Sequence, residues 1–458
     1  MQKRIRRGGR ARTRPSSVPV EVKHANLSEP FREKLSNGVT IIGENISSVE
    51  SLAIGFWVNF GSRDEKKEEN GITHLIEHMA FKGTKHFTSE EVVETIESRG
   101  GYINAFTTKE FSCYYAKVFK EDIEPAIRVL SDLILFPNFT EPDLRNERKV
   151  VFSEMQEVYD DPEEWGMDFI EEKIFADNSL SMPIIGKGSS LKKFTTEELH
   201  QFHLKNFTAD RIIISVAGNF SRTSLMRTAN KYFSQLKPSA KIFIRRKPGL
   251  NSNGKFTVHR DGGKQAHLLL GARSPGLDDP ARYAASMVGI ILGDGSTSRL
   301  YKSVREKDGL AYSIYSYGTT YADSGILGIY ACTSAKDIVK AEERIFSTVD
   351  EFVRNGPTKE EVFRAKAQSK AAIVFSLENL WDRASLFARD QLYYKECSNI
   401  PESLVSIQKV TGDDIAEAAR KILTEDGITS LRILPHTLNT RRNIHRRERK
   451  RKNDRRTT

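Results

Sequence analysis

The sequence predicts an α+β fold made of two tandem homologous modules, each a mixed or antiparallel sheet packed with helices. Three observations predict it. A chain of 458 residues is long for one domain. A pattern of strand, turn and helix early in the chain returns more than 200 residues later. A segment rich in Pro, Gly, Ser and Asn, residues 238–255, separates the two occurrences and has the composition of a linker.

The first occurrence contains an apolar strand with a turn at Ser51–Arg63 and an amphipathic helix at Ile72–Lys82. We expect that helix to have its N-cap at Asn70 and to stop at Gly83. The second occurrence contains a strand at His267–Arg273 and a helix at Ala281–Leu292. Similar segments keep nearly the same separation, namely 120–126 and 335–341 at 215, Thr140 and Thr358 at 218, and 194–199 and 410–415 at 216. A steady separation through several elements indicates a duplicated module.

Composition divides the rest of the chain. Residues 1–32 and 437–458 are rich in arginine, and we interpret them as a flexible basic arm and a flexible basic tail. This leaves 33–237 as the N-terminal module and 256–436 as the C-terminal one. The net charge of +10 belongs to the ends, because residues 1–14 carry +7 and residues 441–458 carry +8. Any binding of nucleic acid or anionic surfaces is therefore expected only there, and these ends lack the interleaved aromatics of a stacking surface.

Cysteine usage and hydropathy indicate the compartment. Cys113, Cys332 and Cys397 are far apart and form no C-x-x-C motif, so we interpret them as packing residues in a reducing environment. No run approaches the roughly 20 apolar residues of a membrane-spanning helix. We expect a cytoplasmic protein of bacterial type. The mitochondrial matrix is the alternative, because the acid-free arm superficially resembles a transit peptide.

The helix at Ile72–Lys82 carries His74, Glu77 and His78 on the face opposite its apolar stripe. Two histidines at i and i+4 lie one above the other, so both imidazoles can reach one metal ion. The order H-x-x-E-H is also the inverted zincin signature. A solvated helix face is the alternative interpretation, which the scarcity of histidine, 10 of 458 residues, makes weaker.

The second copy of the helix provides a control within the chain. At a separation of 212, Ser286, Gly289 and Ile290 stand where the first copy has His74, Glu77 and His78. A helix that forms without imidazoles shows that the histidines are not required by folding alone. The N-terminal module is therefore the expected metal-binding and catalytic one, and the C-terminal module the one without metal ligands.

A hydrolytic zinc site usually needs a third protein ligand. Glu147 and Glu154 are two helical turns apart in the helical pattern 141–164, so they share a face. At a separation of 218 they become Ala365 and Ala372, so the acids disappear in the copy that lacks the histidines. An acidic solvated face is the alternative for this pair.

H-x-x-E-H followed 76 residues later by Glu154 resembles the M16 (pitrilysin-like, inverzincin) metallopeptidases. Within that family the chain is most similar to the half-length branch that includes the mitochondrial processing peptidase beta subunit and its bacterial relatives. The resemblance covers about residues 33–436 and implies that the two modules form half of a clamshell. It also implies that His74, His78 and Glu154 bind one Zn²⁺ per chain, that Glu77 is the general base and that Glu147 is an accessory carboxylate.

The resemblance further implies substrate contacts. Segment 101–107 is similar to the edge strand on which the family's substrates lie, with Asn104 and Ala105 at the contacting positions. Segment 303–312 is similar to the family's Arg/Tyr motif, so Arg305 and Tyr312 would hold the substrate backbone and stabilise the oxyanion. Glu164 and Asp168 match acids that bind an arginine near the cleavage site in processing peptidases.

In the half-length branch two chains close around the site, and the Arg/Tyr pair reaches the metal from the partner. Because this chain carries both the metal motif and Arg305 with Tyr312, we expect a homodimer; a heterodimer with an inactive homologous subunit is the alternative. The expected function is zinc-dependent endopeptidase action on peptides or unfolded segments. A structural subunit without activity and a nucleic-acid-binding protein acting through the basic ends are the rival hypotheses.

Overall fold

The computed structural model describes residues 30–436 except 177, 240–243, 250–252, 262 and 397–399. The strands among the described residues are β1 (Phe31–Lys34), β2 (Thr40–Asn45), β3 (Ser51–Val58), β4 (Tyr102–Thr107), β5 (Ser112–Phe119), β6 (Ile212–Gly218), β7 (Lys255–Arg260), β8 (Gln265–Ser274), β9 (Ser313–Thr320), β10 (Gly325–Ser334) and β11 (Ile428–Pro435). The α-helices are α1 (Ile72–Ala80), α2 (Ser89–Glu97), α3 (Ile123–Leu135), α4 (Glu141–Asp160), α5 (Pro162–Ile174), α6 (Gly188–Leu191), α7 (Thr196–Asn206), α8 (Arg222–Phe233), α9 (Arg282–Gly293), α10 (Ile338–Asn355), α11 (Lys359–Ser376), α12 (Leu380–Tyr394), α13 (Ile400–Lys409) and α14 (Gly412–Ile422).

The strands form two mixed sheets with one topology. The first has the order β1-β2-β6-β3-β5-β4 and the second the order β7-β11-β8-β10-β9. The parallel pair β2 and β6 in the first sheet corresponds to the parallel pair β7 and β11 in the second, and the other pairs are antiparallel. Apart from β1, the second sheet repeats the first. The predicted fold class, two homologous α+β modules, is confirmed.

Each sheet is covered on one face by helices of its own module. The core of the first module lies between its sheet and helices that include α1, α3 and α7. The core of the second lies between its sheet and helices that include α9, α10 and α14. The strands β3 and β6 are buried at nearly every position, because a sheet covered on both faces needs apolar side chains on both.

The opposite face of each sheet is covered by a helix from the other module. Helix α5, with Ile170 and Ile174, packs on β8 and β11 of the second sheet. Helix α12, with Phe387 and Ala388, packs on β2, β3 and β6 of the first sheet. The approach of α5 is so close that a Cβ atom at Gly271 would lie 2.4 Å from Cγ2 of Ile170. Each module therefore contributes one helix, α5 or α12, to the sheet of the other module. Two of the four apolar cores contain residues of both modules.

The structure bears on the predictions for the N-terminal arm and the cysteines. The predicted arm 1–32 is too long, because Phe31 and Arg32 already belong to β1, where they pair with β2. Residues 1–29 of the arm, all of the tail 437–458 and Cys397 lie outside the described residues. Cys113 and Cys332 are buried. None of the helices within the described ranges has the length and apolar character needed to cross a membrane.

Candidate active site and metal centre

Helix α1 presents its polar face because its apolar face is held in the core. Ile72, Leu75, Ile76 and Met79 are all at most 2% exposed. The helix begins at Ile72 as predicted, but its N-cap is Gly71 and not Asn70, and it ends at Ala80, before the expected stop at Gly83. Gly71 has φ of +94°, and a Cβ atom there would lie 2.7 Å from Cα of Gly186, so only glycine suits this position.

Three half-buried side chains converge at the polar face of α1. The ligand-type atoms of His74, His78 and Glu154 lie within 4.8 Å of one another. The two imidazole centroids are 4.7 Å apart, and Nε2 of His78 lies 3.4 Å from Oε2 of Glu154. Glu154 comes from α4, which packs against α1. Two imidazoles and one carboxylate are a ligand set typical of catalytic zinc.

The environment of His74 suits a metal ligand. Its Nδ1 atom is buried and has no hydrogen-bond partner. Burial, with a smaller contribution from the neighbouring His78, lowers the pKa of His74 to about 4. The ring is therefore neutral at physiological pH, which is the form that binds a metal ion.

Glu147 contacts Nδ1 of His78, the ring nitrogen that does not face Glu154. It is buried, with its Oε2 atom 3.3 Å from Nδ1 of His78 and its Oε1 atom 2.9 Å from Nζ of Lys82. A carboxylate at the second nitrogen of a ligating imidazole fixes the orientation of the ring. Lys82 was missed by the sequence reasoning. Its position four residues after His78, one helical turn further on, was the available signal.

Glu77 is held by the sheet. The hydroxyl of Thr107, the last residue of β4, donates a hydrogen bond to Oε2 of Glu77. Burial raises the pKa of Glu77, while the Thr107 hydrogen bond and His78 oppose that shift. Thr107 was also missed as a site residue, although it ends the segment 101–107 in which substrate contacts were expected.

Asn104 and Ala105 lie on β4, which is the edge of the first sheet within the described part of the chain. The Asn104 amide donates to the Tyr102 hydroxyl at 2.6 Å, and its Oδ1 atom accepts from the backbone N–H of Ala105 at 2.8 Å. Thr107 joins this strand to Glu77, so the edge and the metal cluster are neighbours.

Glu164 and Asp168 lie one turn apart on α5. Burial raises the pKa of Asp168 to about 6; Lys109 opposes the shift, and the acids Glu171 and Glu164 add to it. The two residues thus belong to one acidic surface on the helix that joins the modules.

Arg305 and Tyr312 are both exposed and belong to the second module. Arg305 lies in a π-helical turn, Tyr301–Lys307, with its guanidinium 5.0 Å from the Tyr301 ring. No contact found among the described residues joins either one to the metal cluster.

Family models and curated relatives match most of the chain. The family model described as Insulinase (Peptidase family M16) matches residues 40–188, and the model described as Peptidase M16 inactive domain matches residues 193–369. An uncharacterized zinc protease of Bacillus subtilis is 36% identical over 395 residues, which is 86% of this chain and 96% of the relative. One of Mycobacterium leprae is 32% identical over 409 residues, covering 89% and 92% of the two chains.

Solved structures share the fold. A protease from Helicobacter pylori superposes with a TM-score of 0.81 at 20% identity, over 89% of this chain and 100% of that chain. A peptidase M16 inactive domain from Pseudomonas fluorescens gives a TM-score of 0.82 at 19% identity, over 89% and 98%. At these identities the likeness concerns the fold alone.

Proposed function

This chain belongs to peptidase family M16, in its half-length branch, and on that premise we propose that it is a zinc-dependent metalloendopeptidase. Its substrates would be peptides or unfolded, presequence-like segments admitted to a dimeric chamber. The observation that carries the proposal is the convergence of His74, His78 and Glu154 within 4.8 Å, beside Glu77 on the same helix.

His74, His78 and Glu154 would hold the ion, one per chain. The neutral, half-buried ring of His74, with its buried Nδ1 atom, and the Glu147 carboxylate next to His78 support this assignment. A zinc ion held there would lower the pKa of a water molecule and polarise the scissile carbonyl. Glu147 keeps the His78 ring in one orientation, and Lys82 keeps Glu147 in place.

Glu77 would act as the general base. Thr107 occupies one of its carboxylate oxygens, so the other is available for proton transfer. That oxygen accepts a proton from the attacking water and then donates it to the nitrogen of the leaving amine. Burial raises the pKa of Glu77 and thereby makes its carboxylate a better proton acceptor.

The substrate would lie along β4 as an added strand. Main-chain hydrogen bonds to the edge at Asn104 and Ala105 tolerate many peptide sequences. The Ala105 N–H now donates a hydrogen bond to Oδ1 of Asn104, and this bond must break before the N–H can bind substrate. Glu164 and Asp168 would favour a basic side chain in the substrate, because their carboxylates can pair with a guanidinium.

Arg305 and Tyr312 would complete the site of a partner chain in a homodimer. Both are exposed, which leaves them accessible to a partner chain, as action in trans requires. A guanidinium and a phenol hydroxyl near the scissile carbonyl would stabilise the oxyanion that develops there.

Peptide digestion by the Glu77→Gln variant tests the function. We expect hydrolysis of a quenched peptide to fall by about 10²-fold or more while zinc content stays at the wild-type level. Glu94→Gln, which changes an exposed carboxylate on α2, is the matched control and should keep full activity. Unchanged hydrolysis in Glu77→Gln, or wild-type protein that retains no zinc, would refute the proposal.

Subunit mixing tests the dimer. Neither Glu77→Gln chains nor Arg305→Ala chains should be active alone. Their mixture should regain part of the activity, since one site of the mixed dimer combines an intact Glu77 with an intact Arg305. Absence of recovery in a mixture that forms mixed dimers would contradict action in trans.

A further inference from the structure

A buried carboxylate outside the predicted site, that of Glu65, lies at the N-terminus of α1. Glu65 is 5% exposed, and its Oε2 and Oε1 atoms accept the backbone N–H groups of Gly71 and Thr73, each at 2.8 Å. The Asn70 amide donates a third hydrogen bond at 3.2 Å. The first N–H groups of a helix have no partner within it, so Glu65 satisfies groups of the first turn of α1. Thr73 directly precedes His74.

The duplicated module begins its equivalent helix without a buried carboxylate of this kind. Backbone hydrogen bonds define the equivalent positions, since Ser62 and Arg63 donate to Thr108 and Lys109, whereas Leu277 and Asp278 donate to Tyr321 and Ala322. Glu65 follows Arg63 by two residues, and Pro280 follows Asp278 by two. Helix α9 then begins at Arg282 without any buried acid at that position. The second module instead has the exposed Asp279, which accepts one backbone N–H before α9, whereas Glu65 is buried and accepts two before α1.

The two residues before Glu65 are anchored at the junction of the modules. Arg63 is 3% exposed and pairs with Glu110 at 2.6 Å and with Asp323 of the second module at 2.7 Å. Asp64 accepts two hydrogen bonds from Arg245 of the linker, at 2.9 and 2.8 Å. Ion pairs this buried hold their backbone firmly, because breaking one leaves a charge without a partner. Glu65 therefore extends to α1 from a rigid base.

We propose that Glu65 is a positioning residue of the metal centre, which fixes the first turn of α1, and with it His74, relative to the junction of the two modules. The inference rests on the proposed metal site. Its chemistry is simple: one carboxylate offers two oxygens to two backbone N–H groups at a helix N-terminus, where negative charge is also favoured. An amide in its place keeps one acceptor and sets its NH₂ group against the second N–H.

Cobalt titration of the full-length chain tests the proposal. Wild-type protein, Glu65→Gln and a control, Asp279→Asn, are freed of metal and titrated with Co²⁺ alone, and the visible absorption band reports the ligand geometry. Asp279 is an exposed acid that accepts the Ala281 N–H at 2.8 Å just before α9, so its variant perturbs the equivalent helix start in the other module. We expect Glu65→Gln to bind Co²⁺ about tenfold more weakly, with a changed band, and the control to match wild type.

Hydrolysis by the zinc-loaded proteins gives a second measurement. We expect Glu65→Gln to lower kcat about tenfold with KM within about twofold, because the substrate edge is untouched. If Glu65→Gln does not fold, Glu65→Asp is measured instead; its shorter carboxylate cannot reach both N–H groups, and the same changes are expected.

The outcomes separate the two proposals. A Glu65 variant that melts earlier but binds Co²⁺ with wild-type affinity and band overturns the inference, since the residue would then be merely structural. Wild-type protein that binds Co²⁺ without hydrolysing peptides refutes the peptidase function alone, and the comparison of bands still decides the role of Glu65. Wild-type protein that binds no Co²⁺ overturns both.

Discussion

The variant Glu147→Ala isolates the contribution of the carboxylate behind His78. Glu147 lies 3.3 Å from Nδ1 of His78 and is 5% exposed, so truncation removes a buried charge next to a proposed metal ligand. The second module has Ala365, 0% exposed, at the matching position of α11. Alanine is therefore compatible with the packing of this helix. Lys82, whose side chain is 37% exposed, can turn its ammonium group into water.

The expected effect is on metal affinity rather than on folding. Loss of a carboxylate that orients a ligating imidazole typically weakens metal binding 10- to 100-fold, which is about 1.4–2.7 kcal/mol. Zinc titration in competition with a chromogenic chelator measures this change, and thermal unfolding of the metal-free protein checks the fold. Glu157→Ala, on the exposed side of the same helix, is the control and should bind zinc like wild type. Zinc affinity of Glu147→Ala within twofold of wild type would refute the assigned role.

Three further predictions concern Glu77, a buried histidine and the module junction. Thr107→Val removes a hydrogen bond that lowers the pKa of Glu77, so the acidic limb of the kcat/KM profile should move to higher pH; an unmoved limb would contradict Glu77 as the base. Burial lowers the pKa of His203 to about 4, so protons bind the unfolded chain first and stability should fall as pH drops from 6.5 towards 4. In urea unfolding, His203→Gln should reduce this loss of unfolding free energy between pH 6.5 and 4 by up to about 3 kcal/mol. An equally large loss in the variant would contradict the assignment of this pH dependence to His203. In urea unfolding, Arg63→Met should lower the free energy of unfolding by about 3–5 kcal/mol, because Glu110 loses its closest cation. The control Arg222→Met removes an exposed ion pair with Glu33 and should lower it by less than about 1 kcal/mol. Equal losses in the two variants would contradict the importance of the buried network.

Local periodicity accounts for what the sequence predicted well. The apolar stripe of α1 predicted which face carries His74 and His78, and the helix observed at Ile72–Ala80 lies within the predicted span. Thr140 and Thr358, 218 residues apart, are the N-caps of α4 and α11. In both helices the threonine hydroxyl accepts a hydrogen bond from the backbone N–H three residues later. The N-cap of α1 was predicted one residue too early, because Gly71 is required by its close contact with Gly186 from a distant segment.

The sequence by itself determined the duplicated architecture, the helix with the H-x-x-E-H motif, and the pair Glu147 and Glu154. These features depend only on spacing along one helix or between the two copies. The tertiary structure decided the exchange of α5 and α12 between the modules, the pairing of Thr107 with Glu77 and the support of α1 by Glu65. Each of these joins residues that no helical or strand period relates. Their physical basis is burial: a polar group enclosed by the folded chain must find its partner there, and only the packing of distant segments specifies which partner that is.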